Sequence, residues 1–405
     1  MITEFRIENF KSIENLSINL GRINVFIGEN GCGKSNILEA ITLASAATQN
    51  KLDNEFLSSR GVRVTIPQLM RSAFDYENLS SSLKFGFTIN DKDKFGYELS
   101  NDNKPYSKWE SKQTVISEMQ AEEYTKKLVN DILMSSNEKK SKQFNKFKQL
   151  VKILAEDENN NIDENILMFN FFKDNYNKLP NQLFKDFLIY SPENTSLRTF
   201  EKEGQIEPLG IYGEGLFKLL KFFASQPETQ TITEIKNYLK LFGWFKDFTV
   251  PERLFEGESY LQIKDRYLDN KIEYFDQRSS NEGFLFVLFY FSLLISDKTP
   301  SFFAIDNIEA SLNPKLCTKL IKNISELTKK HKKQVIVTTH SPSVLDGLNL
   351  NDKEQKLFLV YRNKFGHTIV KQIEKPQPIE GQEPVKLSEA FLRGYIGGLP
   401  KNFAI

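Results

Sequence analysis

The sequence predicts an α/β protein built on a largely parallel sheet, and three stretches carry that prediction. The first is Gly28-Glu29-Asn30-Gly31-Cys32-Gly33-Lys34-Ser35. It lies between an apolar strand, Ile23 to Ile27, and a helix-like run, Asn36 to Ser45. The second is Phe302-Phe303-Ala304-Ile305-Asp306, a continuous apolar strand ending in a carboxylate. The third is Val335 to Thr338, a buried strand that leads to His340, with a helix expected before it over Lys315 to His331. Apolar runs without alternation are strands covered on both faces, and strands alternating with helices give parallel pairing.

The first stretch fits G-x-x-x-x-G-K-[ST] in the strand–loop–helix setting that such a loop needs. Its glycines let the loop curl so that backbone N–H groups converge on phosphate oxygens at the positive end of the next helix. Lys34 can reach the terminal phosphates and the Ser35 hydroxyl can ligate Mg²⁺. The stretch implies that the chain binds a nucleoside triphosphate.

Asp306 ends its strand where a second carboxylate must sit to hold Mg²⁺ opposite Ser35; the alternative is an ordinary helix or turn cap. His340, in Thr338-Thr339-His340-Ser341-Pro342, lies at the same sheet edge. There an imidazole can hydrogen-bond a terminal phosphate or the attacking water, whereas a strand-end histidine elsewhere is more often structural. His331 and His367 are read as structural.

The 405 residues allow about two to three domains. Lys and Arg number 54 against 53 Asp and Glu, so no global field argues for nucleic acid or a membrane. Cys32 and Cys317 cannot form a disulfide framework and suit a reducing cytosol. Inside the phosphate loop, Cys32 is read as a small filler in preference to a redox switch. Met1 to Lys11 mixes charged and apolar residues, unlike a signal peptide. Phe284 to Ile295 is shorter than the roughly 20 residues of a membrane span and reads as a buried helix. The expectation is a soluble, cytoplasmic chain.

Taken in order, Phe5 to Asn9 and Leu16 to Leu20 suggest a hairpin by their alternation, as do Leu83 to Ile89 and Phe95 to Leu99 across Asn90-Asp91-Lys92-Asp93. Asp91 and Asp93 are solvated turn residues on this reading. From about Val115 to Phe187 polar residues dominate, with apolar residues at helical spacing, which predicts an inserted helical arm. Pro208 to Gly215 leads into an amphipathic helix; Leu261 to Lys264 and Ile272 to Phe275 form a hairpin turned at Asp269-Asn270. The tail holds a strand pair, Lys356 to Tyr361 and Thr368 to Ile373, a Pro/Gln/Glu linker, and a helix from Leu387 to a Gly397-Gly398 stop. The run Lys329-Lys330-His331-Lys332-Lys333 suits a helix C-terminus, and DNA is a candidate partner through it.

Together these pieces resemble the ATP-binding-cassette ATPases of the SMC, RecF and overcoming-lysogenization-defect group. Ile7-Glu8-Asn9-Phe10-Lys11-Ser12-Ile13 is similar to their first strand, and Gly28 to Asn36 to their phosphate loop. Ser279-Ser280-Asn281-Glu282-Gly283 occupies the place of their signature motif. Asp306 matches the Walker B aspartate, Ser311-Leu312-Asn313-Pro314 the D-loop and His340 the switch histidine. The resemblance implies a P-loop ABC-type ATPase head with a largely parallel sheet, an antiparallel β subdomain and an inserted helical arm. Residues 1–115 and 188–405 would be its two halves and 116–187 the arm.

The resemblance further implies ATP and Mg²⁺ as cofactors, and two heads face to face, each signature closing over the other's nucleotide. Ser279, Ser280 and Asn281 can cap the apolar helix, whose free N–H groups offer a γ-phosphate site. The family places a catalytic glutamate directly after the Walker B aspartate. Here that position is Asn307, and Glu309 follows two residues later, matching a second acidic position of the overcoming-lysogenization-defect branch. Many relatives carry a Toprim nuclease beyond the switch histidine. Ser341 to Ile405 is too short for one, so the expected partner is a separate effector, a nuclease by the resemblance, in DNA maintenance or anti-phage defence. A DNA-binding clamp with little turnover is the competing expectation, and a transporter subunit fits poorly.

Overall fold

The computed structural model describes residues 1–114, 184–199, 204–227, 230–251, 261–269, 271–375 and 385–397. The expected helical arm at 116–187 lies outside the described residues except for 184–187, as do Asn270 and the Pro/Gln/Glu linker over 376–384. In chain order the strands begin with β1 (Ile2–Phe10), β2 (Ile13–Asn19), β3 (Ile23–Gly28), β4 (Leu83–Ile89), β5 (Asp93–Ser100), β6 (Glu110–Thr114) and β7 (Ile189–Tyr190). They continue with β8 (Phe245–Thr249), β9 (Gln262–Asp265), β10 (Phe275–Asp276), β11 (Phe302–Ile305), β12 (Gln334–Thr339), β13 (Gln355–Arg362) and β14 (Thr368–Ile373). The helices are α1 (Lys34–Thr48), α2 (Asn54–Ser59), α3 (Pro67–Met70), α4 (Leu216–Ala224) and α5 (Gln230–Leu239). After them come α6 (Glu282–Ile295), α7 (Pro314–Lys330), α8 (Pro342–Leu345) and α9 (Leu387–Leu392).

The phosphate-loop strand β3 sits inside a six-stranded sheet of order β14-β13-β3-β12-β11-β7. Every pairing in it is parallel except that of β14 with β13. Alternate residues of its strands supply two cores. Val25, Ile27, Val337, Phe303 and Leu359 join the cluster that holds α6. Phe26, Ile336, Phe302 and Phe358 join the one that holds α1 and the second sheet, with Phe26 stacked on Phe358 at 4.8 Å. The helix α6 is buried from Gly283 to Ile295, as an apolar helix without a polar face must be. Among the described residues no helix is long and apolar enough to cross a membrane.

The second sheet, β2-β1-β4-β5-β6, is antiparallel and contains both expected N-terminal hairpins. The buried Gln334 at the start of β12 joins it to the first. Its Nε2 donates to the carbonyls of Ile2 and Gly21, each at 2.7 Å, while its Oε1 accepts the Ile2 N–H at 3.0 Å. A short third sheet, β10-β9-β8, is the remaining one among the described residues.

The structure corrects two expectations. The second strand of the Leu261 hairpin is only Phe275–Asp276, because Ile272 and Tyr274 are exposed and unpaired in the sheet. The last helix ends at Leu392, stopped by Gly394 with φ 76, and does not run to Gly397-Gly398. The basic run is taken up within the chain. Lys329 pairs with Asp352 at 2.6 Å, and Lys330 and His331 with Glu234 at 2.8 and 3.0 Å, leaving Lys332 exposed. Lys333 turns inward, where Nζ donates to the carbonyls of Thr299 and Pro300 and to the Thr299 hydroxyl.

Burial pushes the Lys333 ammonium down to about 8 from its usual 10.5. With the folded value below the unfolded one, the unfolded chain binds the extra proton between those values, so stability rises with pH across that window. Urea denaturation of the wild type should gain up to about 3 kcal/mol there. Lys333→Met should lack that increment; an identical pH slope in both proteins would contradict a buried, readily deprotonated Lys333.

Candidate nucleotide-binding site

The loop after β3 has the backbone that close phosphate approach requires. Gly31 and Gly33 hold φ of 76° and 108°. A Cβ at Gly28 would lie 2.1 Å from the Val360 carbonyl oxygen of β13. Helix α1 then opens at Lys34 with no side-chain cap, leaving first-turn N–H groups for an anion. Lys34 is buried and folded onto its own loop, donating to the carbonyls of Gly28 at 2.9 Å and Glu29 at 3.0 Å. Burial lowers its affinity for a proton, against the opposing charges of Cys32, Asp306 and Glu309. Cys32 fills space under the loop, and burial pushes its thiol up, away from the reactive thiolate.

Asp306 follows β11 directly, and parallel pairing through β12 brings it to the phosphate loop. The Ser35 hydroxyl donates to its Oδ2 at 3.3 Å, and the Thr338 hydroxyl donates to its Oδ1. A hydroxyl and a carboxylate in contact are a donor set that fits Mg²⁺, with phosphate and water oxygens completing the octahedron. Thr338, which sequence reasoning did not single out, also accepts the Asn307 N–H at 2.9 Å. Asn307 adopts φ 52 and is exposed. Its side chain joins Asn30, Gly31, Gly33, Lys34, Ser35, Asn36 and His340 around a cavity of about 320 Å³.

Glu309 lies behind that lining. One carboxylate oxygen accepts the His340 N–H at 2.6 Å, and the other is buried without a hydrogen-bond partner. The His340 ring places Nδ1 3.1 Å from the Gly28 carbonyl. Nδ1 also lies 3.3 Å from Lys34 Nζ, so it faces both a carbonyl that accepts and an ammonium that donates. Desolvation, and then the nearby Lys34 charge, lower the imidazole's proton affinity and keep it neutral at neutral pH.

The structure adds cations that no local motif marked. Arg63 and Arg362 line the same cavity. Arg362 Nε donates to the Gly31 carbonyl at 2.8 Å, and its guanidinium stands 5.8 Å from the Phe74 ring. Both arginines also line a second cavity of about 450 Å³, with Lys11, Val64, Leu69 and Phe74. Their only sequence signal was position at the ends of strands and loops that the fold brings together.

At the expected signature segment the structure chooses among the candidate caps. Asn281 is the N-cap of α6, its side chain accepting the Phe284 N–H at 3.1 Å. Ser279 is exposed and gives its N–H to Asp276 at 3.1 Å, while the Ser280 hydroxyl is buried without a hydrogen-bond partner. Neither serine caps the helix. Arg198 fixes the segment by donating to the carbonyls of Gln277, Arg278 and Ser280. A Cβ at Gly283 would stand 2.8 Å from the Ser311 carbonyl oxygen, so signature and D-loop segments touch within one chain.

Residues 23–346, which hold the loop, Asp306 and His340, match the family described as "AAA domain, putative AbiEii toxin, Type IV TA system". The chain belongs to this family. Its fold is that of an SMC head: it superposes on a structure described as the SmcHead bound to the C-winged helix domain of ScpA, with TM-score 0.54. That likeness covers 92% of this chain and 98% of the other at 14% identity. A segment of 84 residues is 31% identical to the DNA replication and repair protein RecF of Bacillus mycoides (strain KBAB4). The segment spans 20% of each protein. The chain is thus a member of this AAA family with the fold of an SMC head.

Thr338→Val removes the hydroxyl that joins Asp306 to Asn307 and keeps its shape. The Mg²⁺ concentration needed for nucleotide binding should rise about tenfold, the scale of one hydrogen bond to a charged group. Titrating Mg²⁺ against fixed ATP measures this, and an unchanged requirement would remove Thr338 from the site.

Proposed function

We propose that the protein is an ATP-switched head that dimerises around Mg²⁺-ATP and controls a separate effector in DNA maintenance or anti-phage defence. The observation that carries the reading is the convergence of Lys34, Ser35, Asn307 and His340 on one cavity, with Asp306 held against Ser35 behind it. That cavity takes the β- and γ-phosphates; the adjoining one, apolar at Val64, Leu69 and Phe74, takes the ribose and base. The exposed Ser279 and Asn281 at the N-terminus of α6 suit contact with a nucleotide held by a second copy. A toxin of a toxin–antitoxin system in the family's description supports a defence role, and the RecF segment supports a role at DNA. The effector is a nuclease on this reading, and the cellular site is the cytoplasm. The competing clamp reading is favoured by the RecF segment alone.

Sedimentation tests the switch. Wild-type protein should associate further when Mg²⁺-ATP is added, and Ser279→Arg, at an exposed position, should abolish the increment without loss of ATP binding. Equal association by both proteins would refute a composite site.

Hydrolysis by this head is proposed to be slow. Asn307 lines the cavity and can orient water, but an amide is not a useful base. Glu309 supplies a carboxylate charge behind the lining through the His340 backbone N–H, and on this reading contributes more to turnover than Asn307. Glu309→Gln should lower the steady-state ATPase rate about 10²-fold or more, and Asn307→Glu should raise it. A brisk wild-type rate indifferent to Glu309→Gln would overturn this assignment.

A further inference from the structure

The two cavities share only Asn36, Arg63 and Arg362 among their lining residues. One cavity has the phosphate loop and the other the apolar wall, so the shared residues stand where the α-phosphate joins the ribose. At that junction lies Glu39 of α1, whose side chain is 1% exposed. It is an acid buried in the first helix after the phosphate loop, and the nucleotide site described above makes no use of it.

Glu39 holds two cations, one on each carboxylate oxygen. Lys11, from the end of the first strand, donates to Oε2, and Arg63 Nε donates to Oε1 at 2.5 Å. Lys11 Nζ also donates to the Arg63 carbonyl at 2.9 Å, tying the Arg63 loop to β1. Two positive charges against one negative leave an excess of one, and it is not hidden, because the Arg63 side chain is 68% exposed.

From Arg63 the hydrogen bonds run in one direction to the phosphate loop. Arg63 Nη2 donates to Asn36 Oδ1 at 3.1 Å, and Asn36 Nδ2 donates to the Ser12 hydroxyl at 2.6 Å. The Ser12 hydroxyl lies 2.7 Å from that of Thr368, which donates to the Cys32 carbonyl at 2.9 Å. Because Thr368 spends its proton on Cys32, Ser12 must donate to Thr368. Each member has one orientation, set from the carboxylate end.

We propose that Glu39 is a positioning residue that holds Arg63, backed by Lys11, against the α-phosphate of the bound nucleotide. It rests on the nucleotide reading of the cavity. Glu39 touches no ligand itself; it fixes the guanidinium through Nε while Asn36 holds Nη2, and Arg63 lines both cavities from that position. A free arginine on a loop would lose rotamer entropy on meeting the phosphate, and the buried carboxylate removes that loss beforehand.

The test is a double-mutant cycle on the full chain, read as the dissociation constants of ATP and ADP by calorimetry. Lys34→Ala is the control for the nucleotide reading and should abolish or strongly weaken ATP binding; if it does not, that reading fails first. Arg63→Ala, a change at an exposed side chain, should weaken ATP and ADP equally, by about tenfold, since both carry the α-phosphate. Glu39→Gln should weaken both by a similar factor, and adding it to Arg63→Ala should bring little further loss. If Glu39→Gln does not fold, Glu39→Gln with Lys11→Met restores the charge balance and is expected to show the same nucleotide loss. Normal affinity in Arg63→Ala alongside a failing Lys34→Ala would overturn this inference alone. So would a loss confined to ATP, which would put Arg63 on the γ-phosphate, or fully additive effects of Glu39→Gln and Arg63→Ala.

Discussion

The site depends on the parallel register of β3, β12 and β11. Ile27 pairs with Thr339, and Val337 with Ile305, so all three strands end at one edge of the sheet. There β3 ends at Gly28, and the residues that follow β12 and β11 are His340 and Asp306, drawn from positions far apart in the chain. A slip of one residue in any strand would turn its apolar set to the wrong core and carry its terminal group off the edge. The two cores on either face of the sheet, one around α6 and one around α1, therefore enforce the chemistry as well as the fold. The same edge explains Gly28: β13 pairs on the other side, and its Val360 carbonyl leaves no room for a Cβ.

Much of this was legible in the sequence because it lies in single segments. The phosphate loop reads directly from its spacing and flanking periodicities. Asp306 and His340 are legible because each ends an apolar run of strand length. What was not legible depends on long-range packing. Arg63 and Arg362 reach the cavity from a loop after α2 and from the far end of β13, positions with no local pattern. Thr338 looks like any β-branched strand residue until Asp306 stands beside it. The basic run shows the converse. Five basic residues suggest a binding surface, yet Asp352, Glu234 and the Thr299 carbonyl, none of them near in sequence, take up most of it.

Capping at α6 shows a finer limit. Ser279, Ser280 and Asn281 all belong to the residue types that cap helices, and composition alone does not choose among them. The choice comes from the turn before them, where Asp276 accepts the Ser279 N–H and Arg198 grips the carbonyls on either side. Those contacts leave Asn281 in extended geometry, with φ −60 and ψ 133, which a cap needs. Asn281 is then the first polar side chain at the positive end of a fully buried helix. Gly283, two residues further in, lets the Ser311 carbonyl close on the same helix.

A chain with nearly balanced charge can still build a strong anion site if its acids are withheld from it. Here Lys34, Arg63 and Arg362 all reach the phosphate cavity, and Asp306 is the acid placed for the metal. The other nearby carboxylates are turned away from the lining, Glu39 beneath Arg63 and Glu309 onto the His340 backbone. In those places they do not cancel the field in the cavity; they orient the groups that make it. Partly enclosed walls strengthen that field over the same charges in open water. The neutral His340 belongs to this arrangement. Protonation would add a cation beside Lys34, a repulsion that its lowered proton affinity avoids. Lys34, folded back on the Gly28 and Glu29 carbonyls, is the remaining mobile charge. A phosphate would draw it from two neutral acceptors to an anionic one, where its hydrogen bonds are roughly twice as strong.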